Sequence, residues 1–456
     1  MYPRVVIAGE RSGCGKTTVS LALMSVFSSK GLAVQGFKTG PDYIDTSHYE
    51  ARTGRKGRNI DLWMTDPGDC VEIFRRNAAG RISVIEGVMG LYDGAYPDGA
   101  ASTAHTAKLL DAPVIVVLDG ARGGGSIAAT ALGLKMFDEE VNIAGFILNR
   151  ISPRRAAETA KTVACRTGIP FLGFLPPDDG MAIKSRHLGL VPASESAACS
   201  RRIASEAAMA EKSLDIELIE KIARAAPSPG ESAGSLYPPD PLPQRVRLAV
   251  ARDKAFSFYY EDSLDLLSMW GCEVAEFSPV SDEGLPPGAD AVFLGGGFPE
   301  LYCGEIEENV SMRRDLLRFC NSGGAVYGEC GGMMYLGRSV TDMNGRKFEM
   351  SGVFQAEFEM RKTLQSLGYR EVVARADAGF FRAGDTEKGH EFHYSGFSPS
   401  GAETDFFNIT KSSGGCFDGG MSFKNTVASY VHLNFLSSGI AELIPQRIKP
   451  AKGETL

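Results

Sequence analysis

The stretch that most constrains the fold is residues 4–177, where short apolar runs alternate with longer helix-like segments. The runs RVVIAG (residues 4–9) and APVIVVLDG (residues 112–120) are apolar almost throughout, as expected for strands buried on both faces. Amphipathic segments such as KTTVSLALMSVFSSKG lie between the runs, and the terminal glycine of this segment suits a helix C-cap. The alternation predicts an α/β fold in which helices cover both faces of a parallel sheet.

The second half of the chain resumes this alternating pattern after a break. Residues 226–244, APSPGESAGSLYPPDPLPQ, are rich in proline, glycine and serine and lack apolar periodicity, which predicts a linker. The runs RVRLAVARD, DAVFLGGG and GAVYGECGG then begin a new α/β pattern. The sequence therefore predicts two α/β domains, residues 1–225 and residues 245–456.

Composition argues against several classes of protein. The chain has 48 basic and 56 acidic residues, a net charge of −8 and no basic stripe, which argues against nucleic acid as a partner. No apolar run approaches about twenty residues, so we expect no membrane span, and the chain opens on a strand-like run rather than a signal-peptide core. The nine cysteines form no CxxC pair, which disfavours a zinc site and predicts reduced thiols in the cytoplasm.

A glycine-rich loop, GERSGCGKTT, follows the first predicted strand and precedes the first predicted helix. In a phosphate-binding loop, glycines such as Gly13 and Gly15 let backbone N–H groups approach the phosphates at a helix N-terminus. Lys16 can then reach the β- and γ-phosphates, and the Thr17 hydroxyl can bind Mg²⁺. The loop departs from the usual spacing because Glu10 occupies the position of the first glycine. The order of strand, loop and helix predicts an ATP site rather than a chance glycine-rich turn.

Two acidic segments follow predicted strands and are candidates for metal binding. KTGPDYIDTSHY contains Lys38, Asp42 and Asp45, and VIEGVMGLYDG contains Glu86 and Asp93. Ligands of an open parallel sheet collect at the carboxyl ends of its strands. We therefore expect Asp45 and Glu86 to bind Mg²⁺ or its water. The alternative for each acid is a solvated position in a loop.

The segment GAVYGECGGMMYLG places Cys330 between a predicted strand and a predicted helix, as in a nucleophile elbow. A thiol needs a nearby base, usually histidine, to become a thiolate near neutral pH. His432, in TVASYVHLNF, is the first candidate for this base, and His390 and His393 in GHEFHYSGF are its rivals. The alternative for Cys330 is a buried structural cysteine. Backbone donors for an oxyanion are expected at Gly296, Gly297 and Gly331.

Taken together, these motifs resemble a known family. YGECGG, GGGFPE and the late SYVHLNF resemble a class I-type glutamine amidotransferase domain. GERSGCGKTT, KTGPDYID and EGVMGLYDG resemble the P-loop fold of dethiobiotin synthetase. Their fusion in this order, over nearly the whole chain, resembles the cobyrinic acid a,c-diamide synthase family. The implied fold is an N-terminal P-loop parallel-sheet domain followed by a class I glutamine amidotransferase-like α/β domain.

The resemblance implies ATP- and glutamine-dependent amidation of the a- and c-acetate carboxylates of cobyrinic acid. The cysteine attacks the side-chain amide of glutamine and releases ammonia. The P-loop domain uses ATP and Mg²⁺ to phosphorylate a carboxylate, and ammonia then displaces phosphate to give an amide. The implied partners are L-glutamine and cobyrinic acid or a related tetrapyrrole. The oligomeric state stays open, with a homodimer as one option.

Carried over residue by residue, the resemblance assigns the nucleophile to Cys330 and its histidine to His432. Many class I relatives have a glutamate two residues after that histidine, but Asn434 stands here, so the group that orients His432 stays open. The remaining implied roles are ATP binding by Gly13, Gly15, Lys16, Thr17, Thr18 and Asn149, metal binding by Thr17, Asp45 and Glu86, and substrate contact or support by Asp42, Tyr43 and Asp93.

Four alternatives remain open from the sequence. A Ni-sirohydrochlorin a,c-diamide synthase would run the same chemistry on another metallated tetrapyrrole, and a cobyric acid synthase shares the domain order but tends to be longer. A P-loop switch ATPase with a non-catalytic amidotransferase-like module predicts a damaged cysteine or histidine, whereas Cys330 and His432 are both present. A plain glutaminase would not need the intact GKTT sequence.

Overall fold

The computed structural model describes residues 1–95, 99–121, 124–177, 185–186, 189–190, 199–232, 234, 236–398, 404–437 and 439–448. The chain divides into two compact units, Met1–Gly234 and Ser235–Leu456, which we call the N-terminal unit and the C-terminal unit. The division falls inside the predicted linker, residues 226–244. Residues 233 and 235 of that linker, and residues 449–456 of the second predicted domain, lie outside the described residues.

The N-terminal unit is built on a seven-stranded parallel sheet. Its strands are β1 (Arg4–Gly9), β2 (Val34–Thr39), β3 (Arg58–Ile60), β4 (Ile82–Glu86), β5 (Val114–Asp119), β6 (Ile143–Asn149) and β7 (Phe171–Leu175). Their spatial order is β3-β2-β4-β1-β5-β6-β7, and every neighbouring pair is parallel. A separate short antiparallel pair consists of β8 (Ser185–Arg186) and β9 (Gly189–Leu190).

Helices cover both faces of this sheet. They are α1 (Lys16–Ser29), α2 (Ile44–Thr53), α3 (Pro67–Ala78), α4 (Thr103–Leu109), α5 (Gly125–Phe137), α6 (Pro153–Thr167), α7 (Cys199–Ser213) and α8 (Ile216–Arg224). Val5 and Ile7 of β1 pack with residues of α1, α7 and α8, and Val6, which points to the opposite face, is also fully buried. Burial on both faces explains why the strand is apolar throughout, and the predicted parallel α/β fold is confirmed.

The C-terminal unit contains a six-stranded sheet and three smaller sheets. Its strands are β10 (Val246–Ala251), β11 (Phe256–Phe258), β12 (Cys272–Phe277), β13 (Ala291–Leu294), β14 (Gly296–Gly297), β15 (Ala325–Glu329), β16 (Ser339–Thr341), β17 (Lys347–Glu349), β18 (Glu357–Met360), β19 (Ser366–Ala374), β20 (Thr386–His393), β21 (Ser395–Ser398), β22 (Phe407–Lys411), β23 (Cys416–Gly419), β24 (Met421–Phe423), β25 (Thr426–Ser429) and β26 (His432–Leu433). The largest sheet has the order β12-β10-β13-β15-β25-β24 and is parallel except for β24.

The last strand, β26, belongs to one of the three smaller sheets, where it pairs with β20. The orders of these sheets are β23-β22-β19-β20-β26, β17-β16-β18-β21 and β11-β14. The helices of this unit are α9 (Glu261–Met269), α10 (Cys303–Glu308), α11 (Val310–Asn321), α12 (Gly331–Leu336) and α13 (Ile440–Arg447), with a short 3-10 turn at Pro299–Leu301. The described parts of both units contain no helix with the length and apolar character needed to cross a membrane.

Candidate active sites

The glycine-rich loop of the N-terminal unit joins β1 to α1, as the sequence predicts. Gly15 stands at the N-cap of α1 with φ of 102°, and Gly13 has φ of 74°, so both occupy backbone conformations that favour glycine. A Cβ on Gly15 would collide with the side-chain amide of Asn149. Asn149 Nδ2 donates a hydrogen bond to the Cys14 carbonyl (3.0 Å). The structure therefore brings Asn149, at the end of β6, directly against the loop.

The unusual spacing of the loop has a local explanation. A Cβ on Gly9 would collide with the Sγ of Cys14, so the glycine at the end of β1 is required where the loop folds back on itself. Glu10 stands at the usual glycine position, and its Oε1 accepts a hydrogen bond from the backbone N–H of Asp119 (3.3 Å). Glycine is therefore required at position 9, one residue before the position at which the usual phosphate-binding loop has its first glycine.

Lys16 is the first residue of α1 and its side chain is buried over the loop. Its ammonium donates to the carbonyls of Arg11 (3.3 Å) and Met89. Burial lowers the pKa of Lys16. Backbone carbonyls hold the ammonium at the loop, where phosphate oxygens would be stronger partners. Thr18 lies half-buried in the first turn of the same helix.

A buried polar network lies behind the loop, where β2 and β4 end. Lys38 Nζ donates to Asp45 Oδ2 (2.7 Å) and to Glu86 Oε1 (2.9 Å). Glu86 Oε1 also accepts from the Thr17 hydroxyl (2.5 Å), and Glu86 Oε2 accepts from the Tyr49 hydroxyl (2.7 Å). The structure thus brings the predicted metal residues Thr17, Asp45 and Glu86 into one network, with Lys38 between the two carboxylates.

The oxygen atoms of Thr17 and Glu86 suit Mg²⁺, which usually binds one or two protein carboxylates together with phosphates and water. The described residues contain no cluster of three or more histidine, cysteine or acidic side chains that could enclose a metal alone. Asp45 is engaged by Lys38, and although burial opposes its ionisation, Lys38 holds the pKa of Asp45 below its usual value. Lys38 contacts both carboxylates, but only Glu86 also meets the hydroxyl of Thr17 at the loop, so Thr17 and Glu86 fit direct coordination and Asp45 fits a supporting position.

The three predicted substrate or support residues stand in the loops after β2 and β4. Asp42 Oδ1 accepts hydrogen bonds from the backbone N–H groups of Ile44 and Asp45 (both 2.9 Å) at the start of α2, and half-buried Tyr43 precedes that helix. Burial and the nearby Asp45 raise the pKa of Asp42. Asp93 Oδ2 accepts from the N–H of Gly90 (2.8 Å) and closes a turn. Local backbone bonds thus fix both carboxylates.

A cavity of about 550 Å³ opens beside the loop. The two arginines in its lining both pair with Asp119, Arg11 at 2.6 Å and Arg150 at 2.7 Å. Sequence reasoning missed this group, although Asp119 and Arg150 each stand at the end of an apolar run. The lining residues are Glu10, Arg11, Gly13, Asp119, Ala121, Ser126, Ile127, Thr130 and Arg150.

Cys330 of the C-terminal unit stands on a strained turn between β15 and α12. Its φ of 46° and ψ of −98° are rare for a residue with a side chain, and its N–H donates to the carbonyl of Ser429 (2.8 Å). A strand-to-helix turn of this kind is the geometry of a nucleophile elbow. Burial raises the pKa of the Cys330 thiol, so the thiol needs a base to ionise near neutral pH.

The predicted oxyanion glycines and His432 meet around this turn. A Cβ on Gly331 would lie 2.9 Å from Pro299 Cδ and 3.1 Å from the backbone nitrogen of Gly297. A Cβ on Gly296 would collide with the imidazole of His432. The absence of side chains at these glycines therefore lets β14, α12 and the ring of His432 approach one another.

A carboxylate that sequence reasoning did not assign lies beside His432. Glu329 Oε2 is 3.6 Å from His432 Nδ1, and Glu329 Oε1 accepts from the N–H of Leu433 (2.9 Å). Asn434, which replaces the glutamate of many class I relatives, instead accepts a hydrogen bond from the N–H of Leu436 (3.2 Å). In the sequence, this carboxylate could have been found as the glutamate that directly precedes the cysteine in YGECGG.

The two rival histidines are less suited to act as the base. Both ring nitrogens of His393 face acceptors, since Nε2 lies 3.0 Å from Glu391 Oε1 and Nδ1 lies 2.7 Å from the Ser395 carbonyl. Burial, followed by the nearby His432, lowers the pKa of His390 to about 3. His390 is therefore too weak a base for the Cys330 thiol, which favours His432.

The low pKa of His390 predicts a pH dependence of stability. Below pH ~6.5 the unfolded chain binds a proton at His390, whereas the folded chain does not until about pH 3, so stability falls with decreasing pH across this window. The contribution lost between pH 7 and pH 5 is about 2 kcal/mol. We expect His390→Phe, which keeps a ring against Tyr369, to reduce the difference in melting temperature between pH 7 and pH 5. An unchanged difference in calorimetry would contradict this prediction.

Two family models match the chain. The CobQ/CobB/MinD/ParA nucleotide binding domain matches residues 5–190, and the CobB/CobQ-like glutamine amidotransferase domain matches residues 247–440.

Close relatives align along almost the whole chain. Proteins named cobyrinate a,c-diamide synthase from Caldanaerobacter subterraneus subsp. tengcongensis, Picrophilus torridus and Salmonella typhimurium are 37%, 39% and 37% identical to it. The alignments cover 94%, 97% and 94% of this chain and the same shares of those proteins. The matches confirm the family resemblance drawn from the motifs. The chain therefore belongs to the CobB/CobQ family, in which a nucleotide-binding domain precedes a glutamine amidotransferase domain.

Proposed function

We propose that the protein is a cobyrinate a,c-diamide synthase, which uses ATP and glutamine to convert the a- and c-acetate carboxylates of cobyrinic acid into amides. The observation that carries the proposal is the presence in one chain of a glycine-rich strand-to-helix loop before Lys16 and a strained strand-to-helix turn at Cys330. One site suits carboxylate activation and the other suits ammonia release. The relatives that align along almost the whole chain carry this name.

Glutamine hydrolysis is proposed to occur at Cys330. His432 takes the thiol proton, and the thiolate attacks the side-chain amide carbon of glutamine. The backbone N–H groups near Gly296, Gly297 and Gly331 stabilise the oxyanion. The C–N bond then breaks, and His432 returns the proton to the departing ammonia. Water hydrolyses the glutamyl thioester, which releases glutamate and restores the thiol.

Carboxylate activation is proposed to occur at the phosphate loop. A substrate carboxylate takes the γ-phosphoryl group of ATP, which gives an acyl phosphate and ADP. Ammonia attacks the acyl carbon, phosphate leaves, and an amide forms. Lys16 and the backbone N–H groups near Gly13 and Gly15 hold the phosphates. When Mg²⁺ is bound, Thr17 and Glu86 would hold it, and it would neutralise phosphate charge.

Other residues of the N-terminal unit also have roles in the proposed activation step. Asn149, which lies against the loop, contacts adenine, and Asp45 supports the metal position through Lys38. Asp42, Tyr43 and Asp93 serve the carboxylate end of the substrate. Residues 1–225 carry out activation, residues 245–456 release ammonia, and residues 226–244 link them. A cytoplasmic location suits a reaction that consumes ATP and needs a reduced thiol.

The proposal is tested by mass spectrometry of two macrocycles incubated in parallel with the protein, ATP, Mg²⁺ and glutamine. We expect two stepwise carboxylate-to-amide mass changes on cobyrinic acid and none on Ni-sirohydrochlorin, with no change when ATP is omitted. Amidation of Ni-sirohydrochlorin alone would show that the protein is instead a Ni-sirohydrochlorin a,c-diamide synthase. ATP hydrolysis without amidation of either macrocycle would favour a P-loop switch ATPase.

A further inference from the structure

Glu329 and His432 form a buried pair between two elements that are distant in the sequence. Glu329 is the last residue of β15, and His432 is the first residue of β26. Both side chains are only 3% exposed, and Glu329 Oε2 lies 3.6 Å from His432 Nδ1. The N–H of Leu433 donates to the second carboxylate oxygen, Oε1 (2.9 Å), which fixes the plane of the carboxylate.

The electrostatic surroundings of Glu329 explain why a histidine belongs beside it. Burial disfavours its charged form and raises the pKa of Glu329, and His432, Leu433 and Tyr327 oppose this shift. A buried carboxylate is costly without a positive partner. His432 becomes that partner each time it accepts the thiol proton. The separation of 3.6 Å is an ion-pair distance, and catalytic contacts of this kind often shorten when substrate binds.

We infer that Glu329 is a positioning residue that orients His432 for proton transfer with Cys330, an inference that rests on the proposed glutaminase function. The carboxylate holds the Nδ1–H of the imidazole, which leaves Nε2 as the nitrogen that accepts the thiol proton. The proton moves from Sγ to Nε2 and later to ammonia, while Glu329 stays ionised. The residue before the nucleophile thus takes the place of a glutamate after the histidine.

The neighbouring polar groups have other partners. The side-chain oxygen of Asn434 accepts from the N–H of Leu436. The two oxygens of Glu391 are engaged by Arg370 (2.6 Å) and His393 (3.0 Å). Asn434 and Glu391 are thus engaged by other groups, whereas Glu329 Oε2 lies 3.6 Å from His432 Nδ1.

The test is Glu329→Gln, which keeps the size of the side chain and an oxygen that can accept the Leu433 N–H. Its amide has no charge and can donate toward Nδ1, which favours the tautomer with hydrogen on Nε2. We expect kcat for glutamine hydrolysis to fall by about 100-fold or more, with little change in KM. Ammonia-dependent amidation should stay within about twofold. The alkylation rate of Cys330 by iodoacetamide should also rise only at higher pH than in the unchanged protein, because the thiolate loses its stabilised imidazolium.

A matched control is Glu387→Gln, since Glu387 is also buried in this unit but accepts a hydrogen bond from the Ser437 hydroxyl. It should leave the pH profile of alkylation unchanged. Glu329→Asp, which keeps the charge, should recover part of the rate lost in Glu329→Gln. Unchanged glutamine hydrolysis and an unchanged alkylation profile in Glu329→Gln would overturn the inference. Equal loss of the glutamine- and ammonia-dependent activities would also overturn it, because Glu329 would then support the fold rather than the imidazole.

Cys330→Ala separates this inference from the proposed function. If Cys330→Ala keeps glutamine hydrolysis, the proposed function itself fails. If Cys330→Ala abolishes hydrolysis and Glu329→Gln does not, only the role of Glu329 fails.

Discussion

Replacement of Lys16 with alanine is expected to stop amide formation from both glutamine and free ammonia, with a rate loss of about 100- to 1000-fold. The Lys16 ammonium is held at the loop by the carbonyls of Arg11 and Met89, and phosphate oxygens would be its partners when ATP binds. Without this charge the carboxylate is not phosphorylated, and ammonia has no acyl phosphate to attack. Both nitrogen sources therefore fail together in the mass-spectrometric assay.

The control for this variant lies at the other end of the same helix. Lys30 caps the C-terminus of α1, and its partly exposed side chain pairs with Glu211. Lys30→Ala should change the amidation rate by no more than about twofold. Glutamine hydrolysis should persist in Lys16→Ala, because the glutaminase residues belong to the other unit. Normal amide formation from ammonia in Lys16→Ala would contradict the assignment of the loop.

Replacement of Cys330 with alanine is expected to separate the two nitrogen sources. Glutamine-dependent amidation should fall by at least about 10⁴-fold, because the nucleophile is lost, whereas amidation with high concentrations of ammonia should continue. Alanine can adopt the φ of 46° at this turn about as readily as cysteine, so the elbow should keep its shape. The measurement compares amide formation with glutamine and with ammonium chloride.

A second cysteine supplies the control for Cys330. Cys416 is exposed on β23, and Cys416→Ala should retain both activities. Glutamine-dependent amidation in Cys330→Ala would show that another group is the nucleophile. Loss of both activities would contradict the division of the reaction between two sites.

Short local motifs allowed the sequence to locate both candidate sites. GERSGCGKTT falls between β1, which ends at Gly9, and α1, which begins at Lys16. YGECGG spans the end of β15, the turn at Cys330 and the start of α12. Apolar periodicity and the placement of glycine are properties of neighbouring residues, so the parallel α/β fold and both turns were predictable. The catalytic and binding roles of the individual residues stay predictions.

Only the tertiary structure decided which distant side chains meet. β2 and β4 are neighbours with Lys38 opposite Glu86, and this register places the ammonium between Glu86 and Asp45. In the C-terminal unit, the return of the chain at β26 brings His432 beside the carboxylate of Glu329, whereas the amide oxygen of Asn434 accepts from the N–H of Leu436. A linear pattern of apolar and polar residues fixes which elements form, but strand order and register depend on packing between segments far apart in the chain. Because the buried charges of both sites are paired across strands or sheets, their partners could be found only from the folded structure.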